Sequence, residues 1–243
     1  GTGRLPTDRL EALAIPLPPK DVQRAIASLL DALDDKIDAN KQMNEALENF
    51  ARGLFKSWFV DFDPVRIKEG DRSETLAPAV AELFPASLSV GELGVQPEGW
   101  AISDIGSAVS VVGGNTPSTG SSEFWGGDYA WATPKDLSGI EEPVILKTER
   151  TLTAAGLAKV SSGLLPIDTV LLSSRAPIGY LAIAKVPMAI NQGFVAMVCN
   201  REIGPCFTYL WTAQNLEIIK CRANGSTFQD ISKGSFRGNK TIL

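Results

Sequence analysis

The sequence predicts an α+β protein, in which a long coiled-coil-forming helix is followed by a mixed α/β domain rich in short strands. Two observations support this fold class. Apolar residues recur with heptad spacing between residues 20 and 61, and short β-branched segments separated by Gly, Ser, Thr and Asn begin near residue 99. We therefore expect an extended tail (1–19), the long helix (20–61), a linker (62–98) and a strand-rich domain (99–243).

The tail contains the stretch LAIPLPP at residues 13–19. Its prolines exclude a helix and restrict any strand pairing to the edge of a sheet. We expect this segment to be extended, as the exit strand or tail of a preceding domain, with a helix beginning directly after it.

Along the long helix, mostly apolar residues form one stripe, which we call the seam. Its positions are spaced alternately four and three residues apart. At about 1.5 Å per residue, some 40 residues form a rod of roughly 60 Å, which cannot bury such a seam against itself. We expect it to pair with another helix, and the two asparagines in the seam either fix the register of pairing or mark a bend or solvated gap. The predicted pairing residues are Ile26, Leu30, Leu33, Ile37, Asn40, Asn44, Leu47, Leu54 and Trp58.

A dense aromatic cluster lies at the end of this helix, before the stop signal Asp61-Phe62-Asp63-Pro64. Its members are Leu54, Phe55, Trp58, Phe59 and Phe62. We expect a partner chain to cover them, or another subunit to bind them.

In the strand-rich domain, the pattern predicts strands at 108–112, 169–173, 180–184 and 194–198. A single helix is expected at 205–223, with Pro205 at its first position and Ile218 and Ile219 facing the core. The stretch Thr133-Pro134-Lys135-Asp136 predicts another helix start, capped by Thr133.

Composition narrows the function. The chain has no histidine, which removes the commonest general base and the commonest metal ligand. Its net charge of −5 comes from residues 61–98, with eight acidic and three basic residues, whereas residues 99–243 hold eleven acidic and twelve basic residues. A near-neutral domain of this kind permits DNA binding through a local basic patch.

The cysteines and the lengths of the apolar runs bear on the compartment of the protein. Cys199, Cys206 and Cys221 lack metal-ligand spacing and lie among apolar residues, so we expect reduced, mostly buried thiols and no disulfide. No run approaches the roughly 20 apolar residues of a membrane span. We expect a cytoplasmic protein with no membrane partner.

Several stretches resemble the specificity subunit of type I restriction-modification enzymes. In the helical region they are PPKDVQRAI (18–26), LDDKI (33–37) and LFKSWFVDFDP (54–64). The domain that follows resembles the target-recognition domains of the same subunit through PEGW (97–100), GGNTPS (113–118), SRAPIG (174–179), NQGF (191–194) and GSTF (225–228).

The resemblance implies a non-catalytic subunit, in which two antiparallel helices separate two recognition domains and each domain reads half of a bipartite site in double-stranded DNA. It also implies modification (methyltransferase) subunits and a motor-nuclease subunit as partners. S-adenosylmethionine, ATP and Mg would then be bound by those partners and no cofactor by this chain. Because this sequence holds one helix and one domain, we expect a fragment or a half-sized subunit that forms a homodimer through antiparallel helices.

A domain that reads DNA needs polar side chains at base edges and Gly-rich turns near phosphates. The clearest such turn is GGNTPST at 113–119, and the other candidates lie at strand and helix ends. Each candidate also has an ordinary structural explanation, as a polar turn, a hairpin cap or a cation near a helix C-terminus. The candidates are Asn115, Thr116, Ser118, Thr119, Lys135, Ser173, Ser174, Arg175, Asn191, Gln192, Lys220, Arg222, Asn224, Ser226 and Thr227.

Two other functions remain open. The chain could be a scaffold fragment that docks the modification subunit but binds DNA weakly. The other alternative is a stand-alone nuclease or methyltransferase, although the sequence has no Walker loop, dinucleotide fingerprint or Asn/Asp-Pro-Pro-aromatic motif. Asp128, Lys135 and Asp136 supply only a generic carboxylate set for a nuclease.

Overall fold

The computed structural model describes residues 6–71, 75–175, 177–200, 203–223 and 230–242. The chain divides into two units, residues 1–51 and 52–243. Helix α1 (Thr7–Glu11) lies in the N-terminal unit and is followed by an irregular segment and then by helix α2 (Lys20–Phe59), whose residues from Arg52 onward belong to the C-terminal unit. The long helix therefore begins at Lys20, as predicted, while residues 13–19 form neither helix nor strand.

Helix α2 ends two residues before the predicted boundary. Phe62 adopts a left-handed conformation with φ 56°, which breaks the helical path, and helix α3 (Asp63–Glu69) then begins with Pro64 in its first turn. In the described part of the chain, no helix combines the length and apolarity needed to cross a membrane.

The segment that we expected to be a linker contains regular structure. After α3 come helix α4 (Pro78–Ala81) and a two-stranded antiparallel hairpin of β1 (Leu88–Gly91) and β2 (Gly94–Pro97). Lys68 Nζ donates hydrogen bonds to the carbonyl oxygens of Ala81 at 3.0 Å and Phe84 at 2.6 Å, which ties α3 to the end of α4.

The aromatic cluster at the end of α2 is buried within its own chain. Phe55 and Phe62 are 6% and 5% exposed. The rings of Phe59 and Phe62 lie 6.0 and 6.2 Å from that of Trp100, and Phe84 stacks on Trp100 at 6.0 Å. The expectation that a partner covers Phe55 and Phe62 is therefore wrong, because aromatic residues far along the same chain cover them.

The rest of the C-terminal unit is a mixed α/β fold, which confirms the predicted class. Strand 194–198 has the predicted bounds, and three predicted strands are shorter than expected; the first begins at Ser110, because Ala108 ends a short helix. The elements are β3 (Ile102–Asp104), α5 (Ile105–Ala108), β4 (Ser110–Val112), β5 (Trp125–Ala132), α6 (Pro134–Leu137), β6 (Val144–Ile145), β7 (Arg150–Leu152), α7 (Ala154–Leu157), β8 (Val170–Ser173), β9 (Leu181–Ala184), β10 (Met188–Ile190), β11 (Phe194–Val198), α8 (Pro205–Gln214), α9 (Leu216–Cys221), α10 (Lys233–Arg237) and β12 (Lys240–Ile242).

Among the described residues, the largest sheet has the strand order β4-β11-β8-β9-β6, antiparallel except for the β6–β9 pair. A second sheet, β10-β5-β7, pairs β5 in parallel with β10 and antiparallel to β7. Strands β3 and β12 form a short antiparallel pair.

The central strand β8 is buried on both faces. Val170 and Leu172 pack in one apolar cluster with Phe55, whereas Leu171 packs in a second cluster with Met188. Successive side chains of a strand point to opposite faces, so one strand contributes to both cores. These two cores fix the strand ends and loops that carry the candidate site.

The predicted helix at 205–223 is interrupted. Asn215, with φ −97° and ψ 9°, separates α8 from α9. Ile219 is fully buried but Ile218 is 56% exposed, contrary to the predicted core face. The expectation of mostly buried thiols is also wrong, since Cys206 and Cys221 are exposed and only Cys199 is partly buried.

Candidate nucleic-acid interface

The Gly-rich loop at 113–119 lies directly against strand β10. A Cβ atom added to Gly114 would be 1.8 Å from the carbonyl oxygen of Ile190, so no larger residue fits there without moving the backbone. Asn115 fixes the other side of the loop: its Nδ2 donates to the Lys159 carbonyl oxygen at 2.9 Å, and its Oδ1 accepts from Ser161 N at 2.6 Å. Hydrogen bonds to the chain itself therefore occupy the amide that we expected to contact DNA.

Three predicted residues from three different segments meet beside this loop. Thr116 Oγ1 donates to Gln192 Oε1 at 2.7 Å, and Arg175 Nη2 donates to the Gln192 carbonyl oxygen at 2.6 Å. Next to them, Asn191 Oδ1 accepts from Gly193 N at 2.8 Å, which caps the local turn. The fold thus collects hydroxyl, guanidinium and amide groups that are far apart in sequence on one surface, which we call the polar face (residues 113–119, 175 and 191–192).

Basic side chains lie around the polar face. The Lys233 side chain runs past Gly113, with its Cδ 3.1 Å from where a Cβ of that glycine would lie. Lys233 and Lys159 are both exposed. Arg237 is bound by the protein instead, since its Nη2 donates to the Val111 carbonyl oxygen at 2.7 Å. Exposed lysines beside a polar surface are suited to phosphate contacts.

Lys135 is exposed, and a carboxylate balances its charge. Its Nζ donates to Glu149 Oε2 at 2.7 Å, and this hydrogen bond, together with the charge of Glu149, raises the pKa of Lys135. The neighbouring Asp136 is used by the fold: its Oδ2 accepts from Thr133 N and Oγ1, each at 2.7 Å, and its Oδ1 accepts from Glu149 N at 2.6 Å. Thr133 is the N-cap of α6, as predicted, and Asp136 is a structural carboxylate.

Two predicted contact residues are not accessible. Ser173 is fully buried and Ser174 is 3% exposed. Ser173 Oγ donates to the Pro177 carbonyl oxygen at 2.8 Å and accepts from Gly179 N and Tyr180 N, so this hydroxyl shapes the turn after β8. The expected DNA contact by these two serines is corrected to a structural role.

The remaining candidates lie at the end of α9 and beyond it. Lys220 pairs with Glu217 at 2.8 Å, and Arg222 Nη1 donates to the Gly238 carbonyl oxygen at 2.7 Å. Lys220 nevertheless lies near the turn that follows Arg175, since its Cε would be 3.5 Å from a Cβ on Gly179. The candidates Asn224, Ser226 and Thr227 lie outside the described residues.

An aromatic support, which no local sequence pattern indicates, lies beneath the loop. Trp125 Nε1 donates to the Ser118 carbonyl oxygen at 3.0 Å, and Trp131 Nε1 donates to that of Asn115 at 3.4 Å. Ser118 and Thr119 themselves are exposed. The two tryptophans at either end of β5 were visible in the sequence, but their contact with a loop preceding them required the folded arrangement.

The predicted pairing positions of helix α2 divide into two groups. In the N-terminal unit the seam is exposed: Ile26, Leu30 and Leu33 are 49%, 54% and 53% exposed. Ile37 and Leu47 are 52% and 58% exposed, and Asn40 and Asn44 are also exposed. Leu54 and Trp58 are partly buried in the C-terminal unit, where the Trp58 ring lies 5.4 Å from that of Phe84.

Within the described ranges, no group of three or more Cys, Asp or Glu side chains is arranged to hold a metal ion. What the fold assembles is a face of hydrogen-bonding groups flanked by exposed lysines. Such groups can contact base edges and phosphates of a nucleic acid.

The sequence pattern of one family, type I restriction modification DNA specificity domain, matches residues 1–49 and 97–242. These residues make up most of the chain, which therefore belongs to this family.

The chain is 40% identical to the type I restriction enzyme MjaIX specificity subunit of Methanocaldococcus jannaschii over 146 residues, which are 59% of this chain and 34% of that protein. It is 29% identical to the type I restriction enzyme HindI specificity subunit of Haemophilus influenzae over 265 residues, covering 90% of this chain and 56% of that protein. The chain thus spans between about a third and about half of the length of these relatives.

Two solved structures are also similar. The crystal structure of the HsdS subunit from Thermoanaerobacter tengcongensis matches at 16% identity and a TM-score of 0.47, covering 94% of this chain and 48% of that one. The type I restriction-modification S subunit from M. genitalium matches at 16% identity and a TM-score of 0.40, covering 59% and 34%.

Proposed function

We propose that this chain is a DNA specificity subunit of a type I restriction-modification system, and that its C-terminal unit reads one half of a bipartite site. The observation that carries the proposal is the meeting of Thr116, Arg175 and Gln192 on one face of a chain that belongs to this family. Hydroxyl, guanidinium and amide groups are the side chains that distinguish base edges in the major groove. Lys159 and Lys233 beside them would bind phosphates and position the duplex.

Selection from a library of random duplexes tests this role directly. We expect one short sequence to be enriched, with an affinity that falls steeply with salt because each phosphate contact releases bound counterions. Arg175→Ala should weaken the sequence preference without unfolding the domain, whereas Lys185→Ala, outside the polar face, should leave the preference unchanged. The absence of any enriched sequence would overturn the proposal and favour the alternative of a scaffold that docks the modification subunit but binds DNA weakly.

We further propose that helix α2 is a spacer and that it pairs with the same helix of a second copy. The exposed seam supports pairing with a second copy, because large apolar side chains that repeat every heptad match the seam of an identical helix. Charge favours the antiparallel orientation. Residues 20–39 hold five acidic and three basic side chains, whereas residues 40–59 hold two acidic and three basic ones, so antiparallel pairing places each acidic half beside a basic half.

Such a homodimer would present two copies of the polar face, one for each half of a two-part site. Closed two-fold symmetry makes the two half-sites identical in sequence. The selected duplexes should therefore contain a palindrome with a fixed gap. A single unpaired half-site would contradict the dimer but not the proposed reading of DNA by the C-terminal unit.

The catalytic steps belong, in this proposal, to partner subunits. Modification (methyltransferase) subunits would dock along the helix and use S-adenosylmethionine, and a motor-nuclease subunit would bring ATP and Mg, as the family resemblance implies. Because the complex would act on DNA, we expect it in the cytoplasm. Purified chain incubated with duplex DNA and labelled S-adenosylmethionine should transfer no methyl group. Methyl transfer or strand cleavage by the chain alone would support the alternative of a stand-alone methyltransferase or nuclease.

A further inference from the structure

Arg150 is held flat against an indole ring beside the polar face. Its Cζ lies 3.4 Å from the centroid of the Trp125 ring and 5.6 Å from that of Trp131. The antiparallel pairing of β5 with β7 places Arg150 opposite Trp131. At about van der Waals distance, the planar guanidinium can only lie face to face with the Trp125 ring, in a cation–π contact.

The charge of Arg150 is exposed and has no carboxylate partner among the described residues. This distinguishes it from Lys135, Lys185 and Lys220, each of which forms an ion pair with a nearby acid. A long side chain without a charged partner would ordinarily sample many rotamers. Here the indole ring fixes the plane of the guanidinium while its N–H groups remain at the edge of that plane.

The same two tryptophans carry the Gly-rich loop. Trp125 donates its indole N–H to Ser118, and Trp131 donates its own to Asn115. Arg150 and residues 113–119 are therefore built on one aromatic support, so the arginine lies alongside the polar face even though it is 31 residues beyond the loop in sequence.

We propose that Arg150 is a sequence-reading residue, whose two parallel N–H donors bind the paired acceptors N7 and O6 of a guanine, with Trp125 as its positioning residue. This inference rests on the proposed function. A fixed guanidinium fork matches two acceptors at a fixed separation, as on a guanine. A phosphate needs no such fork, because a flexible lysine binds it equally well. Immobilisation of the fork before binding reduces the entropy lost when the contact forms.

The experiment is duplex selection with the full chain, followed by binding titrations on the selected duplex and on a random duplex of equal length. Wild type should require a guanine at one position. Arg150→Lys retains the charge but removes the planar fork, so it should lose that guanine preference and bind the selected duplex about tenfold or more weaker, with little change on the random duplex. Circular dichroism and thermal unfolding confirm that the fold is intact.

Three further variants separate base reading by Arg150 from the effect of charge and from the effect of its aromatic support. Lys147→Ala removes one exposed charge from the same segment, and should weaken both duplexes by the same factor. Trp125→Leu and Trp125→Phe both remove the indole N–H, but the phenylalanine retains a ring face, so the leucine variant alone should lose the guanine preference.

The outcomes distinguish this inference from the proposed function. If wild type selects a sequence and Arg150→Lys selects the same one with unchanged affinity, Arg150 is a structural cation on the indole and the inference fails while the function stands. If Arg150→Lys weakens binding to both duplexes equally, Arg150 contacts a phosphate, and the inference that Arg150 reads a base also fails. If wild type selects nothing, the proposed function itself fails.

Discussion

The ring of Phe55 lies 5.2 Å from that of Phe207, edge to face at an interplanar angle of 63°. This contact joins the last turns of the long helix to the first turn of α8 inside the C-terminal unit. Phe59 completes the group, with its ring 5.2 Å from both of the others. The aromatic residues near the end of α2 are therefore part of the domain core rather than of the exposed seam.

Phe55→Ala should consequently destabilise the protein by about 3–5 kcal/mol, because it removes a buried ring and leaves a cavity among aromatic neighbours. Urea unfolding followed by tryptophan fluorescence measures the change. Phe50→Ala, on the same helix but 68% exposed, is the matched control and should alter the free energy of unfolding by about 0.5 kcal/mol or less. Equal effects of the two variants would show that the Phe55 packing contributes nothing.

The proposed helix pairing predicts a difference between two adjacent leucines. Leu30 lies in the seam and Leu29 beside it, and both are exposed, at 54% and 64%. Leu30→Gln should raise the dimer dissociation constant roughly 100-fold, since two buried leucines are lost per dimer at about 1.5 kcal/mol each.

Sedimentation equilibrium at micromolar concentration measures this constant, and Leu29→Gln serves as control with a change of about threefold or less. A wild-type chain that sediments as a monomer would refute the homodimer. A larger effect of Leu29→Gln than of Leu30→Gln would place the seam on a different helix face.

Gly114→Ala should distort the Gly-rich loop. The added methyl would collide with the Ile190 carbonyl oxygen, so the loop must move off β10, and we expect a loss of about 1–3 kcal/mol of stability together with weaker sequence preference. In Gly120→Ala, the nearest atom to the new methyl is Ser118 Oγ at 4.0 Å, so that variant should retain wild-type stability and binding. Thermal unfolding and duplex titration measure both properties, and identical behaviour of the two variants would contradict the close packing.

The three thiols should differ in reactivity. Burial raises the pKa of Cys199 from its ordinary value, so less of its thiolate is present at a given pH, whereas Cys206 and Cys221 are exposed. Alkylation with iodoacetamide at pH 8, followed by peptide mass spectrometry, should modify Cys206 and Cys221 well before Cys199. Faster modification of Cys199 than of both others would be incompatible with its burial.

The same shift has a consequence for stability at alkaline pH. Because the folded state favours the neutral thiol of Cys199, unfolding favours loss of its proton once the pH exceeds the unfolded value. The free energy of unfolding should therefore fall as the pH rises above 9.0, the ordinary thiol value, and Cys199→Ser should reduce that dependence.

The sequence predicted those elements whose signals are local. The heptad seam and the prolines before it gave the start of the long helix, and Thr133 with the following proline gave the start of α6. The break at Asn215 was not predictable in the same way, because the apolar pattern on both sides is compatible with one helix. Ile218, which lies after this break and was expected to face the core, is 56% exposed.

Residue type in the sequence indicated which segments meet in the fold, but it did not indicate what each side chain contacts. Polar residues near glycine and proline turns did mark segments that meet in space, as Thr116 and Gln192 do at 2.7 Å. Whether a hydroxyl faces solvent or its own backbone depends on the tertiary fold, which is why Ser173 proved to be buried. Arg150, which we propose as a reading residue, was not among the predicted residues, because its support, Trp125, is distant in sequence and no local pattern links them.

The two hydrogen bonds of the Asn115 amide have a kinetic meaning for ligand binding. A loop already immobilised by its own chain loses little freedom when a duplex arrives. Association with DNA should then be limited by diffusion and by attraction between opposite charges, not by a slow rearrangement of the loop. Its rate constant should therefore depend strongly on ionic strength.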